Sequence, residues 1–395
     1  MSSRPGRVVA IICLGEILGM APFSMFLAVQ TELREAWQLS NTATGWISSG
    51  YYAGYMIAVP ILASLTDRVD ARTVWLAATS LAATAAVGFG AVADGFWTAL
   101  LFQVLAGASL AGTYMPGLKL MTDRLRAVPH PRHVAFYTTS FTIGSSLSFY
   151  WVGQLVEQFS WRTAIVTLAA GPVVAWALVF FLIQPMAPQR AVASSERGRW
   201  REVVGSPDAL RYITGYACHM WELFGVRAWL VPFLTFCAVL QGSGTFASPA
   251  TLAALIALVG VPASLAGAEL SARMDRRRLV LVVMTLSAAA SLAFALSSTI
   301  GWLAIVTAGI VYSACISADS AALTAGIVAV APPSSRGTAM ALYSTAGFAA
   351  ASAGSAVVGI VLDLAHGESV FAWTLAFAVL GASNVIGALL FYRGD

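Results

Sequence analysis

Charge is scarce in this sequence: 18 acidic and 22 basic residues among 395, or 10% of the chain, where a soluble domain carries roughly 25%. With 58% hydrophobic residues and a mean hydropathy of +0.78, a water-soluble protein is excluded. Cysteine and histidine are equally thin, four of each. Cys13, Cys218, Cys237 and Cys315 are scattered through apolar segments with no CxxC pair and no clustered His, so neither a metal centre nor a disulfide framework is expected. The sequence also lacks a P-loop, an HExxH helix and a GxSxG elbow, which argues against ATP-driven pumping, catalysis and a bound cofactor. The chain is expected not to be an enzyme. The net charge of +4 does not imply nucleic-acid binding, because in a membrane chain the position of basic residues matters more than their sum.

What is present is a series of long apolar runs. About 20 apolar residues cross a ~30 Å hydrocarbon core, and the runs predict helices near 8–29, 44–65, 73–93, 97–120, 134–156, 163–183, 210–238, 250–271, 279–298, 301–328, 338–362 and 370–392. The first resembles a signal peptide in its basic start, but it is long, carries Glu16 and lacks a small-residue cleavage site, so it is expected to stay as the first helix. The fold class predicted is an all-α membrane protein of twelve transmembrane helices, in two six-helix bundles over 1–183 and 208–395 with a basic linker at 184–207.

Lys and Arg are retained on the cytoplasmic side during insertion. Arg4, Arg7, Arg68, Arg72, Arg124, Arg126, Arg132, Arg190, Arg197, Arg199, Arg201, Arg211, Arg273, Arg276, Arg277, Arg278, Arg336 and Arg393 all fall at the ends of the chain or in even-to-odd loops, and only Arg34 and Arg162 fall opposite. Both termini and the linker are therefore expected in the cytoplasm of a bacterium, with the chain in its inner membrane.

The stretch Ala63-Ser64-Leu65-Thr66-Asp67-Arg68-Val69-Asp70-Ala71-Arg72 resembles the G-x-L-x-D-R-x-G-R-[KR] loop signature of the major facilitator superfamily. Ala268-Glu269-Leu270-Ser271-Ala272-Arg273-Met274-Asp275-Arg276-Arg277-Arg278 resembles its second copy. Both copies carry Asp where the family usually has Gly. The resemblance implies a transporter of two pseudo-symmetric bundles, with Asp67, Arg68, Arg72, Arg273 and Arg277 as a cytoplasmic gate network. It also implies that helices one, four, seven and ten line a central cavity, while three, six, nine and twelve face outward. Two family features are missing. Gln103, four residues before Gly107, stands where the fourth helix usually has Arg, and the Gly144–Gly153 stretch lacks the proline typical of the fifth helix in drug exporters.

A two-half carrier predicts an internal repeat. Glu16-x-x-Gly19 returns as Glu222-x-x-Gly225, 206 residues on, and Gly153 with Glu157 as Gly359 with Asp363. A carboxylate within the membrane costs about 2.5–3.5 kcal/mol on insertion scales and marks a functional site by default. At 1.5 Å per residue Glu16 lies roughly 13 Å from Arg7 and Glu222 roughly 16 Å from Arg211 along the helix, which sets both near the midplane. Arg227 and His219 in the seventh helix, Asp319 in the tenth, and Gln103 and Tyr114 in the fourth complete the expected site; Lys119 lies nearer the cytoplasmic end. One fixed cation among carboxylates suggests proton-coupled uptake of a small organic or inorganic anion. Ionised carboxylates would instead suit a cationic or zwitterionic solute leaving by proton antiport, and a non-transporting membrane sensor is a third reading. A single copy of the chain, surrounded by lipid, is expected to suffice.

Overall fold

The computed structural model describes residues 5–125, 131–188, 199–242, 245–332 and 335–392. Arg4, Arg126, Arg190, Arg197 and Arg393, used above for orientation, lie outside them, as does 189–198 of the expected linker. The described residues are helical without a strand. The chain divides into two units, one formed by 1–32 and 50–193, the other by 33–49 and 194–395. Residues 33–49, expected in the N-terminal bundle, thus group with the second unit.

In order, the helices begin with α1 (Pro5–Gly19), α2 (Gln30–Ala36), α3 (Asn41–Leu65), α4 (Ala71–Val92), α5 (Phe96–Arg124), α6 (Pro131–Gln158), α7 (Trp161–Leu168) and α8 (Ala170–Leu182). A short α9 (Arg199–Val204) sits in the linker and leads to α10 (Pro207–Leu240), α11 (Pro249–Leu258), α12 (Gly260–Arg273), α13 (Arg276–Ser297), α14 (Trp302–Ala318), α15 (Ser320–Val330), α16 (Arg336–Leu364) and α17 (Val370–Tyr392). All twelve expected segments fall on helical or tightly turned chain. Among the described residues nine helices are long and apolar enough to cross a membrane, counting α7–α8, α11–α12 and α14–α15 as one each.

The starts and breaks have local causes. Ser206 and Ser248 cap α10 and α11 through the amides of Ala209 and Thr251, with Pro207 and Pro249 at the first helical position, where a missing N–H costs nothing. Pro172 and Pro262, near the starts of α8 and α12, each remove one backbone donor just past the breaks at Ala169 and Val259. The first segment departs from its expected continuous helix: α1 ends at Gly19, and beyond it Pro22 cannot donate. The chain continues in turns bonded three residues back, as in Phe23 N to Met20 O at 2.9 Å. Helix α6 satisfies the opened backbone, since Ser148 Oγ donates to Ala21 O at 2.6 Å and accepts from Ser24 N at 2.9 Å. Gly144 permits this approach, because a Cβ there would meet Met20 and Ile17 at 2.8 and 3.1 Å.

Each unit has its own apolar core, Ile12, Trp75, Leu120 and Val179 in the first and Tyr212, Met284, Leu323 and Phe391 in the second. Large apolar side chains also cover the outside, with Trp97, Leu303 and Phe371 at least 70% exposed. Such a surface is stable in lipid and a liability in water. Within the second unit, the Asp363 carboxylate at the end of α16 accepts from Asn41 N at 3.1 Å, Asn41 Nδ2 at 3.0 Å and Thr42 N at 2.7 Å, which caps the start of α3. Arg34 bridges Asn41 and Glu368 beside it.

Candidate functional site

Of the expected residues, Glu16 and Tyr114 lie together in the first unit, and Glu222, His219, Asp319 and Arg227 are buried in the second. In the first, α1 carries Glu16 into the protein interior, 1% exposed. Gly15 lets α1 lie against Trp75 of α4, which a Cβ would meet at 3.3 Å. Tyr137 of α6 sets its hydroxyl 2.9 Å from Glu16 Oε2 and 2.8 Å from the Thr113 carbonyl of α5. The other carboxyl oxygen, Oε1, is buried without a hydrogen-bond partner among the described residues. Tyr114 stacks on Tyr137, centroids 5.9 Å apart and planes at 20°, so it enters the centre as a packing ring. Gln103 is fully buried, and among the described residues neither amide atom is hydrogen-bonded and no bond links it to Glu16. A cavity of about 20 Å³, with Tyr51, Thr79, Ser109 and Thr113 in its wall, has room for about one water.

In the second unit α10 supplies Glu222, fully buried. Its carboxylate accepts from Ser287 Oγ of α13 at 2.6 Å, from Tyr312 OH of α14 at 3.0 Å and from Asn384 Nδ2 of α17. Glu222 is therefore turned into its own bundle. The ninth and twelfth segments, expected only to face outward, give it two of its three donors. His219, one turn earlier, places Nδ1 2.8 Å from Asp319 Oδ1. Asp319 sits at the break between α14 and α15, as the last cap of one and the first of the other. A broken helix of this kind frees polar groups at depth and is a common way to build a site inside a membrane. Arg227 lies over the Phe224 ring, 5.5 Å from its centroid, and with Tyr312, Ser313 and Ser317 lines a second cavity of about 20 Å³. Lys119 is engaged by Asp123 at 3.1 Å, one turn away and outside both centres.

The sequence matches the family model of the Major Facilitator Superfamily over residues 12–318 and again over 247–395. The chain belongs to the major facilitator superfamily. Among curated proteins it is 22% identical over 248 residues to "Protein spinster homolog 3" of Danio rerio, covering 59% of this chain and 49% of that protein. It is 28% identical over 186 residues to an "MFS-type efflux pump" of Mycolicibacterium smegmatis, covering 46% and 43%. The chain spans between 35% and 49% of the length of the curated relatives it matches. Among solved structures it resembles a bacterial homolog of the human lysosomal transporter Spinster, inward-facing and occupied, with a TM-score of 0.76, 18% identity and coverage of 99% and 97%. It also resembles a point mutant of the nucleoside transporter NupG, with a TM-score of 0.79, 14% identity and coverage of 98% and 99%. These likenesses carry the fold, which is that of transporters rather than enzymes, and the chain is a multi-pass membrane protein.

The facilitator loop signatures have a clear local role. Asp70 and Asp275, the residues in place of the family's usual Gly, are N-caps: Asp70 Oδ1 accepts from Arg72 N at 3.0 Å and Asp275 Oδ1 from Arg278 N at 2.8 Å. Asp70 also holds Arg124 at 3.2 Å and the Met186 amide at 2.8 Å. Within the first unit, Arg72 donates to Phe180 O at 2.7 Å. Within the second, Arg277 reaches Asp208 at 2.9 Å and Arg273 reaches Glu269 at 2.6 Å. Asp67 and Arg68 lie in the turn after α3.

Sequence reasoning missed Tyr137, Thr113, Ser287, Tyr312 and Asn384, and marked Asp70 only as a departure from the loop signature. One signal was available. Tyr137 recurs as Tyr343, 206 residues on, the same offset that pairs the glutamates. The partners differ between halves, because Tyr343 turns to Thr324 at 3.1 Å and stacks on Tyr216 instead of reaching Glu222.

Proposed function

We propose that this protein is a secondary active transporter that works by alternating access and imports a small organic or inorganic anion together with protons across a bacterial inner membrane, as a single chain with both termini in the cytoplasm. The observation that carries the reading is Arg227, a buried guanidinium in the wall of a cavity whose neighbour Tyr312 also holds a buried carboxylate. A guanidinium is a permanent cation with a planar fork of donors, suited to a carboxylate or oxyanion. Glu16, Glu222, and the His219–Asp319 pair are the groups through which protons are exchanged as the solute moves. In this reading Gln103, in place of the family's arginine, leaves charge recognition to Arg227. Asp67, Arg68, Arg72, Arg273 and Arg277 act as the cytoplasmic gate.

Purified protein in proteoliposomes, offered phosphate, lactate and benzoate with and without an inward proton gradient, is expected to accumulate at least one of them in a gradient-dependent way. Arg227→Gln is expected to weaken its apparent affinity by tenfold or more, since a charge-assisted bidentate contact contributes about 1.5–3 kcal/mol. An unchanged affinity would sink the anion reading.

Export is the second reading, favoured by the efflux pump among the relatives. It requires resistance to amphipathic cations in cells that overproduce the protein, and proton release against a cation gradient in the same vesicles.

A further inference from the structure

We infer that the two buried glutamates rest in opposite protonation states, Glu16 as a neutral acid whose proton is positioned by Tyr137, and Glu222 as an anion. The inference deepens the proton-coupled reading but stands on hydrogen counting that needs no solute.

Tyr137 has a single hydroxyl hydrogen and two oxygen neighbours, Glu16 Oε2 at 2.9 Å and the Thr113 carbonyl at 2.8 Å. The carbonyl only accepts. If Glu16 were ionised it too would only accept, and one hydrogen would have to serve two acceptors. A proton on Glu16 Oε2 resolves the conflict: Glu16 donates to the Tyr137 oxygen, and Tyr137 donates to Thr113 O. Every hydrogen in this three-membered chain then has one acceptor.

The surroundings favour the same assignment. Tyr137 is fully buried, and Glu16 Oε1 is buried with no hydrogen-bond partner among the described residues, a poor setting for a carboxylate, which needs its lone pairs met when out of water. The titratable groups that face Glu16 are Cys13 on its own helix, Tyr51 of α3, Tyr114 of α5 and Tyr137 of α6. None of these is a cation. From α4 and α8 the neighbours at this level of α1 are Trp75 and Val179, around Gly15.

Glu222 is built the other way. Three donors, Ser287, Tyr312 and Asn384, converge on its two oxygens. The hydroxyl of Ser287 has its hydrogen for Glu222, the amide hydrogen of Asn384 needs an acceptor, and Tyr312, which is also bonded to Ser291, turns its hydrogen to Glu222 when it accepts from that serine. The titratable groups facing it are Cys218, Tyr312, Cys315 and Asp319, the last in contact with His219 at 2.8 Å; none of the four is a cation either, so the three donors are what hold its charge. The 206-residue repeat thus placed two equivalent carboxylates, and non-equivalent partners divided their resting states: protonated in the first unit and ionised in the second.

Infrared difference spectroscopy of the full-length protein in liposomes tests the assignment without a substrate. At neutral pH the wild type is expected to show a protonated-carboxyl C=O band that Glu16→Gln removes and Glu222→Gln leaves in place. Tyr137→Phe, which deprives the acid of its acceptor, is expected to keep the band and move it to the higher frequency of an unbonded acid. The opposite arrangement, with Tyr137 donating to an ionised Glu16, has the reverse signature: no Glu16-dependent acid band in the wild type, and a band that appears in Tyr137→Phe as the carboxylate loses its donor. That result overturns the inference, as does an acid band that follows Glu222. If Tyr137→Phe does not fold, the Glu16→Gln and Glu222→Gln spectra alone decide. A Glu16 acid band in a protein without proton-driven flux would retain the assignment and remove the transport reading.

Discussion

The centre around Glu16 depends on one small residue outside it. Gly117 lies one turn beyond Thr113, and a Cβ there would collide with the Tyr137 hydroxyl and lie 2.8 Å from its ring carbon Cζ. Tyr137 reaches the Thr113 carbonyl only because position 117 has no side chain. Gly117→Ala is expected to displace Tyr137, breaking its bonds to Thr113 and Glu16. The loss is about 1–3 kcal/mol for buried groups left unsatisfied, read as a lower thermal midpoint in detergent. Gly6→Ala, where a Cβ would meet nothing within 4 Å, is expected to leave the midpoint unchanged or raise it slightly, through helix propensity.

Among the elements, helix ends carry the specific polar work, since interiors are satisfied by their own ladders while termini leave amides open. Asp363 meets this need for α3 with two backbone amides and one side-chain amide. Removing an acceptor at a helix start costs about 0.5–2 kcal/mol, so Asp363→Ala is expected to lower the thermal midpoint. Asp363→Asn, which keeps one acceptor oxygen, should lower it less. The neighbouring Arg34–Glu368 pair is about one-fifth exposed on each side and is expected to contribute under about 1 kcal/mol. Double-mutant cycles on the two pairs would rank them. The breaks matter as much as the caps, because Asp319 owes its place beside His219 to the interruption between α14 and α15.

At the scale of the whole molecule the arginine distribution makes a sharp prediction. In a background with Cys13, Cys218, Cys237 and Cys315 replaced by Ser, Gly95→Cys is expected to react with a membrane-impermeant maleimide in intact cells. Met274→Cys should react only after permeabilisation. The reverse pattern would overturn the proposed orientation. The sequence by itself determined the membrane-embedded helical class, the order of the segments and the family, because these follow from apolar runs, basic-residue placement and loop signatures that local chain carries. It also pointed to Glu16, Glu222, His219, Arg227 and Asp319 as buried, since a charge in a long apolar run has nowhere else to go. Hydropathy did not reveal that Pro22 would end the first helix early, nor that Ser148 would take up its open backbone, a bond spanning more than a hundred residues. Partner choice was decided only in tertiary structure. Ser287, Tyr312 and Asn384 come to Glu222 from three helices distant in sequence, and Tyr137 reaches Glu16 while its repeat partner Tyr343 turns elsewhere. Hydrogen bonds depend on distances of a few tenths of an ångström between packed helices, and no periodicity along the chain encodes those.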